Sequence, residues 1–136
     1  MVTRSLLLFL ILSCLLCTGE QAATDKKPEP KYEMTSYVMG LLRKGPKWTG
    51  SNNEEAQRIQ EGHMENIRKM AATGKLVVAG PFTDNGDIRG ILIFQETSIE
   101  EAKAMVDQDP AIKAGRMIVE LHPWFAAAGL RVDAPK

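Results

Sequence analysis

Apolar residues along this chain change their repeat from two to three-or-four and back in a fixed order, and that order leaves few folds open. Thr35 to Leu42 is β-branched, aromatic and apolar, strand-length, and runs into the turn-forming Arg43-Lys44-Gly45-Pro46. From Asn53 to Thr73 the apolar residues Ala56, Ile59, Ile67 and Met70 fall at helical spacing, and Gly74 supplies the stop. Lys75 to Ala79 and Asp87 to Phe94 read as two more strands. Asp84-Asn85-Gly86 between them tolerates positive φ and predicts a hairpin. Ser98 with Glu101 forms a capping box ahead of a second helix carrying Ile99, Ala102 and Val106 on one face. Arg116 to Leu121 is the last strand, with Pro123 expected to end it. The sequence therefore predicts βαββαβ, a ferredoxin-like α+β unit. Two right-handed crossovers place both helices on one face of a four-stranded antiparallel sheet.

The N-terminus is excluded from that reading. Arg4 precedes the apolar run Leu6 to Leu16, about 11 residues against the roughly 20 that span a bilayer, and small residues follow at Gly19, Ala22 and Ala23. This pattern predicts a signal peptide over residues 1–23 and an exported, periplasmic or extracellular protein. A retained anchor and a lipidated Cys17 are the alternatives, and Leu12 and Leu16 sit where small residues normally precede a lipidated cysteine. Both cysteines, Cys14 and Cys17, lie in this segment, so its removal leaves no disulfide, thiolate or cysteine metal ligand. Residues 24–31, charged and with two prolines, read as a flexible tether. One domain spans residues 32–125, and residues 126–136 read as a mobile tail. The chain's 17 basic and 17 acidic residues are interspersed, so neither a nucleic-acid footprint nor an anionic membrane partner is expected once the signal is gone.

The strands carry too much apolar surface for a sheet with one wet face. Tyr37, Met39 and Leu41 fall on one face of the first strand and Val38 and Leu42 on the other, while Ile91-Leu92-Ile93-Phe94 is equally two-sided. Helices cover one side only, so a second subunit is expected over the other, which is read as the Val38/Leu42 side.

Four segments carry a family resemblance: Gly62-His63-Met64-Glu65-Asn66-Ile67, the run from Gly74 to Gly80-Pro81-Phe82, the run from Asp107 through Asp109-Pro110 to Gly115, and Val119-Glu120-Leu121-His122-Pro123-Trp124. In that order they resemble the YciI-like, or YCII-related, domain family across about Tyr37 to Phe125. The resemblance implies a dimeric α+β barrel, two ferredoxin-like subunits packed sheet to sheet, and a His/Asp active site at His63 and Asp109. It also implies a reaction class. A known member is a dehydrochlorinase of a chlorinated hydroxyhydroquinone, and distant barrel relatives include muconolactone isomerases and cofactorless monooxygenases.

Read from the residues alone, His63 is the one ionisable group on the buried stripe of its helix, four residues from both Ile59 and Ile67. It is either a core histidine satisfied by a carbonyl or an acid/base group. Asp109 before Pro110 is a favourable helix cap, and a capping role leaves catalysis open. A carboxylate beside His63 fixes one imidazole tautomer, which suits proton transfer without a metal or redox cofactor. Arg43, Lys44, Lys47 and Trp48 crowd one loop, where a cation and an aromatic plate suit an anionic or aromatic ligand. Gly80 and Pro81 end a strand and offer bare backbone to a pocket mouth. His122 reads as structural or interfacial, and two distant histidines argue against a metal site. Three classes of function follow: a cofactor-independent lyase, isomerase or dehydrochlorinase on a small cyclic or phenolic molecule, a small-ligand-binding module, or an accessory homodimer.

Overall fold

The computed structural model describes residues 31–132. The predicted signal over residues 1–23, the tether up to residue 30 and tail residues 133–136 lie outside the described residues.

Strand β1, Met34–Lys44, leads into helix α1, Glu54–Ala72, and then β2, Leu76–Pro81, and β3, Ile88–Gln95. Helix α2, Ile99–Val106, a single turn α3, Pro110–Lys113, and β4, Met117–Ala127, complete the unit. The sheet order is β2-β3-β1-β4 with every neighbour antiparallel, the ferredoxin-like arrangement the periodicity predicts, with α3 added to the second crossover.

Local chemistry sets the helix ends. The Asn53 side chain accepts a hydrogen bond from the Ala56 amide at 2.9 Å and starts α1. Ser98 and Glu101 form the reciprocal capping box at α2. Gly74 and Gly115 follow the C-caps of α1 and α3 with φ of 76° and 70°, a left-handed backbone that a side chain would strain. The 84–86 turn departs from expectation. None of its residues has positive φ, and the Asp84 side chain instead accepts from the Gly86 amide at 3.2 Å, stabilising the loop through an Asx turn.

The core lies between the helices and one sheet face. Val38, Leu42, Leu92 and Phe94 from the sheet meet Met70, Ala102, Val106 and Ala111 from α1, α2 and α3. Phe94 and Leu92 are essentially sealed from solvent, and each such side chain contributes about 1.5–3 kcal/mol by leaving water. Val38 and Leu42 thus belong to the helix-covered face, correcting their assignment to the partner side. The open face carries Met39, Leu41, Ile91 and Ile118. With both faces apolar, alternation shows that two faces exist but not which one the helices take.

Two boundaries also move. Pro123 does not end β4, which continues to Ala127. As the outermost strand, β4 needs a partner on one side only, so a proline lacking N–H is tolerated there. The start of the expected mobile tail is bound: the Ala128 amide donates to the Glu33 carbonyl at 2.7 Å and the Leu130 amide to the Tyr37 hydroxyl at 3.3 Å.

Candidate active site

Helix α1 carries His63, and the turn that opens α3 carries Asp109. Asp109 caps that turn because its Oδ1 accepts from the Ala111 amide at 2.8 Å. The same backbone conformation turns Oδ2 toward α1, where the His63 Nδ1–H donates to it at 2.6 Å. The Asn66 amide, one helical turn along α1, donates to Oδ2 at 3.4 Å and to the Met105 carbonyl at 3.4 Å. Asp109 is 2% exposed and His63 7%. Three donors around one carboxylate satisfy a charge that would be costly to bury alone. Capping and pairing with His63 are therefore the work of one side chain.

With Asp109 as acceptor, Nδ1 carries the proton of the neutral ring and Nε2 holds the lone pair. Nε2 makes no hydrogen bond to any described residue, and His63 lines a cavity of about 310 Å³, within the size range of small-molecule sites. The cavity lies between α1 and the strand ends. Ile67, Leu42 and Leu92 supply apolar wall, Trp48 an aromatic plate, and Gly80 and Pro81 the lining from β2.

The structure brings His63, Trp48, Gly80 and Pro81 together as the sequence suggests, with Asp109 directly behind His63. Arg43 does not join them, correcting its assignment to substrate binding. It alternates with Leu42 on β1, and its guanidinium donates to Asp87 at 2.7 Å and Glu120 at 2.8 Å. Those carboxylates hold it above its already high ordinary pKa, the Asp87 hydrogen bond contributing most. Lys44 stays beside Trp48, its ammonium 6.0 Å from the ring centroid, whereas the Lys47 amide is tied to the Gly115 carbonyl. His122 is exposed and pairs with Met39 across β1 and β4.

Four residues escaped the sequence reading. Gln60 and Met64 sit at helical spacing around His63 and line the cavity, a signal present in the α1 periodicity. Asn66, three residues past His63 and buried, is a polar group needing a partner. Arg89 lines the cavity from β3, where strict alternation points it the other way.

Among solved structures the chain is similar to 5-chloro-2-hydroxyhydroquinone dehydrochlorinase (TftG) from Burkholderia phenoliruptrix AC1100, determined in complex with 2,5-dihydroxybenzoquinone. Identity is 22%, with a TM-score of 0.47, over 66% of this chain and 93% of that one. No curated protein matches the chain. The model of the YCII-related domain matches residues 36–125, from the first strand to the last and across both His63 and Asp109, and the chain belongs to that family.

Proposed function

We propose that this protein is an exported, homodimeric acid/base enzyme that moves a proton on a small cyclic or phenolic molecule without a cofactor, with His63 as base and Asp109 as the group that orients it. The observation that carries the reading is the buried 2.6 Å contact between His63 Nδ1 and Asp109 Oδ2, with the other ring nitrogen left for the cavity. Nε2 takes a proton from an acidic C–H or O–H of the substrate, and Asp109 stabilises the imidazolium that forms. The electron pair left behind either picks up a proton at another atom, an isomerisation, or expels an anionic leaving group, an elimination.

Dimerisation accounts for the open face, where Ile118 is 42% exposed and Met39, Leu41 and Ile91 are half-buried. Export rests on the N-terminal apolar run and is tested by mass spectrometry of protein from its native host. A first residue between Glu20 and Asp25 supports cleavage, and a mass retaining Met1 to Cys17 rejects it.

The base is tested by solvent exchange, which needs no knowledge of the net reaction. A panel of hydroxyquinones, catechols and unsaturated γ-lactones is incubated in D₂O and followed by proton NMR for loss of acidic C–H signals. Wild type should accelerate exchange in at least one ring, and His63→Gln should slow it by about 10²- to 10⁴-fold. Equal exchange by the two proteins rejects His63 as base.

A further inference from the structure

We propose that Arg89, with its guanidinium over the Trp48 ring, selects the substrate of this cavity and that the substrate is a planar ring bearing a carboxylate. The proposal rests on the reading of the His63 cavity as the substrate site and adds to it the chemical class of what enters.

The first observation is a β-bulge. Along β3 the register runs Leu92 to Gly40 and Gly90 to Leu42, then jumps to Ile88 opposite Arg43, so Arg89 is an extra residue without a partner on β1. Regular alternation would send Arg89 to the open face with Ile91 and Ile93. A bulge re-aims the inserted side chain, and such irregularities gather beside functional sites. Here it delivers the Arg89 guanidinium to the helix side, with Cζ 5.5 Å from the centroid of Trp48, a ring that packs against the core.

The second observation is an unmet donor. Arg89 Nη1 donates to the Asp84 carbonyl at 2.7 Å and to the Gly86 carbonyl at 3.4 Å. Its Nε is buried with no acceptor, the one side-chain polar atom among the described residues in that condition. Buried unsatisfied donors are rare in folded proteins, so the bulge holds the Arg89 side chain with one donor unmet.

The third is uncompensated charge. Lys44, Arg89 and Arg116 all approach the Trp48 ring, at 6.0, 5.5 and 5.9 Å. Among the described residues every side-chain hydrogen bond these cations make goes to a neutral oxygen: Lys44 to the Asn85 carbonyl, Arg89 to the Asp84 and Gly86 carbonyls, and Arg116 to the Thr49 hydroxyl and carbonyl. None is ion-paired with a described residue, in contrast to Arg43 with its two carboxylates. Positive charge beside apolar wall favours an anion, and the aromatic and apolar lining from Trp48, Ile67, Leu42 and Leu92 favours a flat ring to carry it. Arg89 is thereby a specificity residue, and His63 keeps the proton chemistry.

The test uses fluorescence. The chain has two tryptophans, so in a Trp124→Phe background Trp48 is the sole reporter. Its quenching is titrated with 4-hydroxybenzoate and with the uncharged isostere 4-hydroxybenzamide. The carboxylate should bind at least about 10-fold more tightly, the worth of one charge-assisted hydrogen bond. Arg89→Met should bring the ratio of the two affinities close to one, and Arg89→Lys should leave an intermediate ratio. Because Arg89 also holds the 84–86 turn, the ratio within each variant is read, so that any general loosening cancels. A ratio near one in the parent, a ratio unchanged in Arg89→Met, or no binding of the carboxylate at millimolar concentration overturns the proposal. His63→Gln should keep the carboxylate preference while losing solvent exchange, so failure of the base and failure of the receptor are told apart.

Discussion

Replacing Asp109 with asparagine keeps its shape and its cap, and so isolates what the carboxylate does for His63. Oδ1 can still accept from the Ala111 amide, now 2.8 Å away, because asparagine caps as well as aspartate. In place of Oδ2 the variant presents an NH₂ group to two donors, His63 Nδ1–H at 2.6 Å and the Asn66 amide at 3.4 Å. The ring must therefore move its proton to Nε2 so that Nδ1 can accept. A charge-assisted hydrogen bond, worth about 1.5–3 kcal/mol, is exchanged for a neutral one of about 1 kcal/mol, and Asn66 retains only its weaker bonds. The expected net loss is about 1–2 kcal/mol. For a domain of roughly 100 residues that lowers the thermal midpoint by about 4–16 °C. Asp109→Ala, which also removes the cap, should lose about 1 kcal/mol more. Urea and thermal unfolding of the three proteins give the comparison directly. The reasoning is refuted by an asparagine variant as stable as wild type, or by one less stable than the alanine variant.

Three further outcomes follow from the same structure. A Cβ on Gly62 would sit 2.8 Å from the Pro110 ring, which cannot swing aside, so Gly62→Ala should destabilise by about 1–2 kcal/mol in urea unfolding despite its gain in helix propensity of about 1 kcal/mol. Light scattering should show a homodimer at micromolar concentration, and Met39→Glu or Ile91→Glu on the open face should yield folded monomer; Val38→Glu and Leu42→Glu, on the helix side, should instead unfold the chain. Thr97 first, then the Ser98 amide and Lys75, hold the Glu101 carboxyl below its ordinary value of 4.5. A depressed folded value means that the unfolded chain binds protons first. This stabilisation is present above 4.5 and lost as the pH falls through the lowered value, so Glu101→Gln should flatten the acid limb of a stability–pH profile.

Much of the fold is legible in the sequence because its signals are local. Asn53, Ser98 with Glu101, Asp109 before Pro110, and Gly74 each fix a helix end through atoms a few residues apart, and the strand-helix order follows from periodicity. The misreadings share a non-local cause. Both faces of β1 are apolar, so nothing within the strand says that Val38 and Leu42 lie under the helices. Pro123 reads as a terminator until the sheet order makes β4 an edge. Arg43 reads as a ligand for anions until Asp87 arrives from the loop before β3 and Glu120 from β4. Arg89 is hidden because a bulge exists only in a pairing register, never in one strand's own sequence. The His63–Asp109 pair, 46 residues apart in sequence, was suggested by family resemblance rather than spacing, and the α1–α3 packing supplies its physical basis.

The role given to His63 requires one arrangement of a single proton, and long-range ¹⁵N–¹H NMR of the imidazole reads it directly. In wild type with the ring neutral, Nδ1 should carry the proton and Nε2 the lone pair, and a carboxylate ligand in the cavity should perturb Nε2 more than Nδ1. In Asp109→Asn the proton should move to Nε2. A wild-type ring protonated at Nε2, or a tautomer indifferent to the Asp109 substitution, would show that Asp109 does not set the imidazole and that His63 is not the base of this cavity.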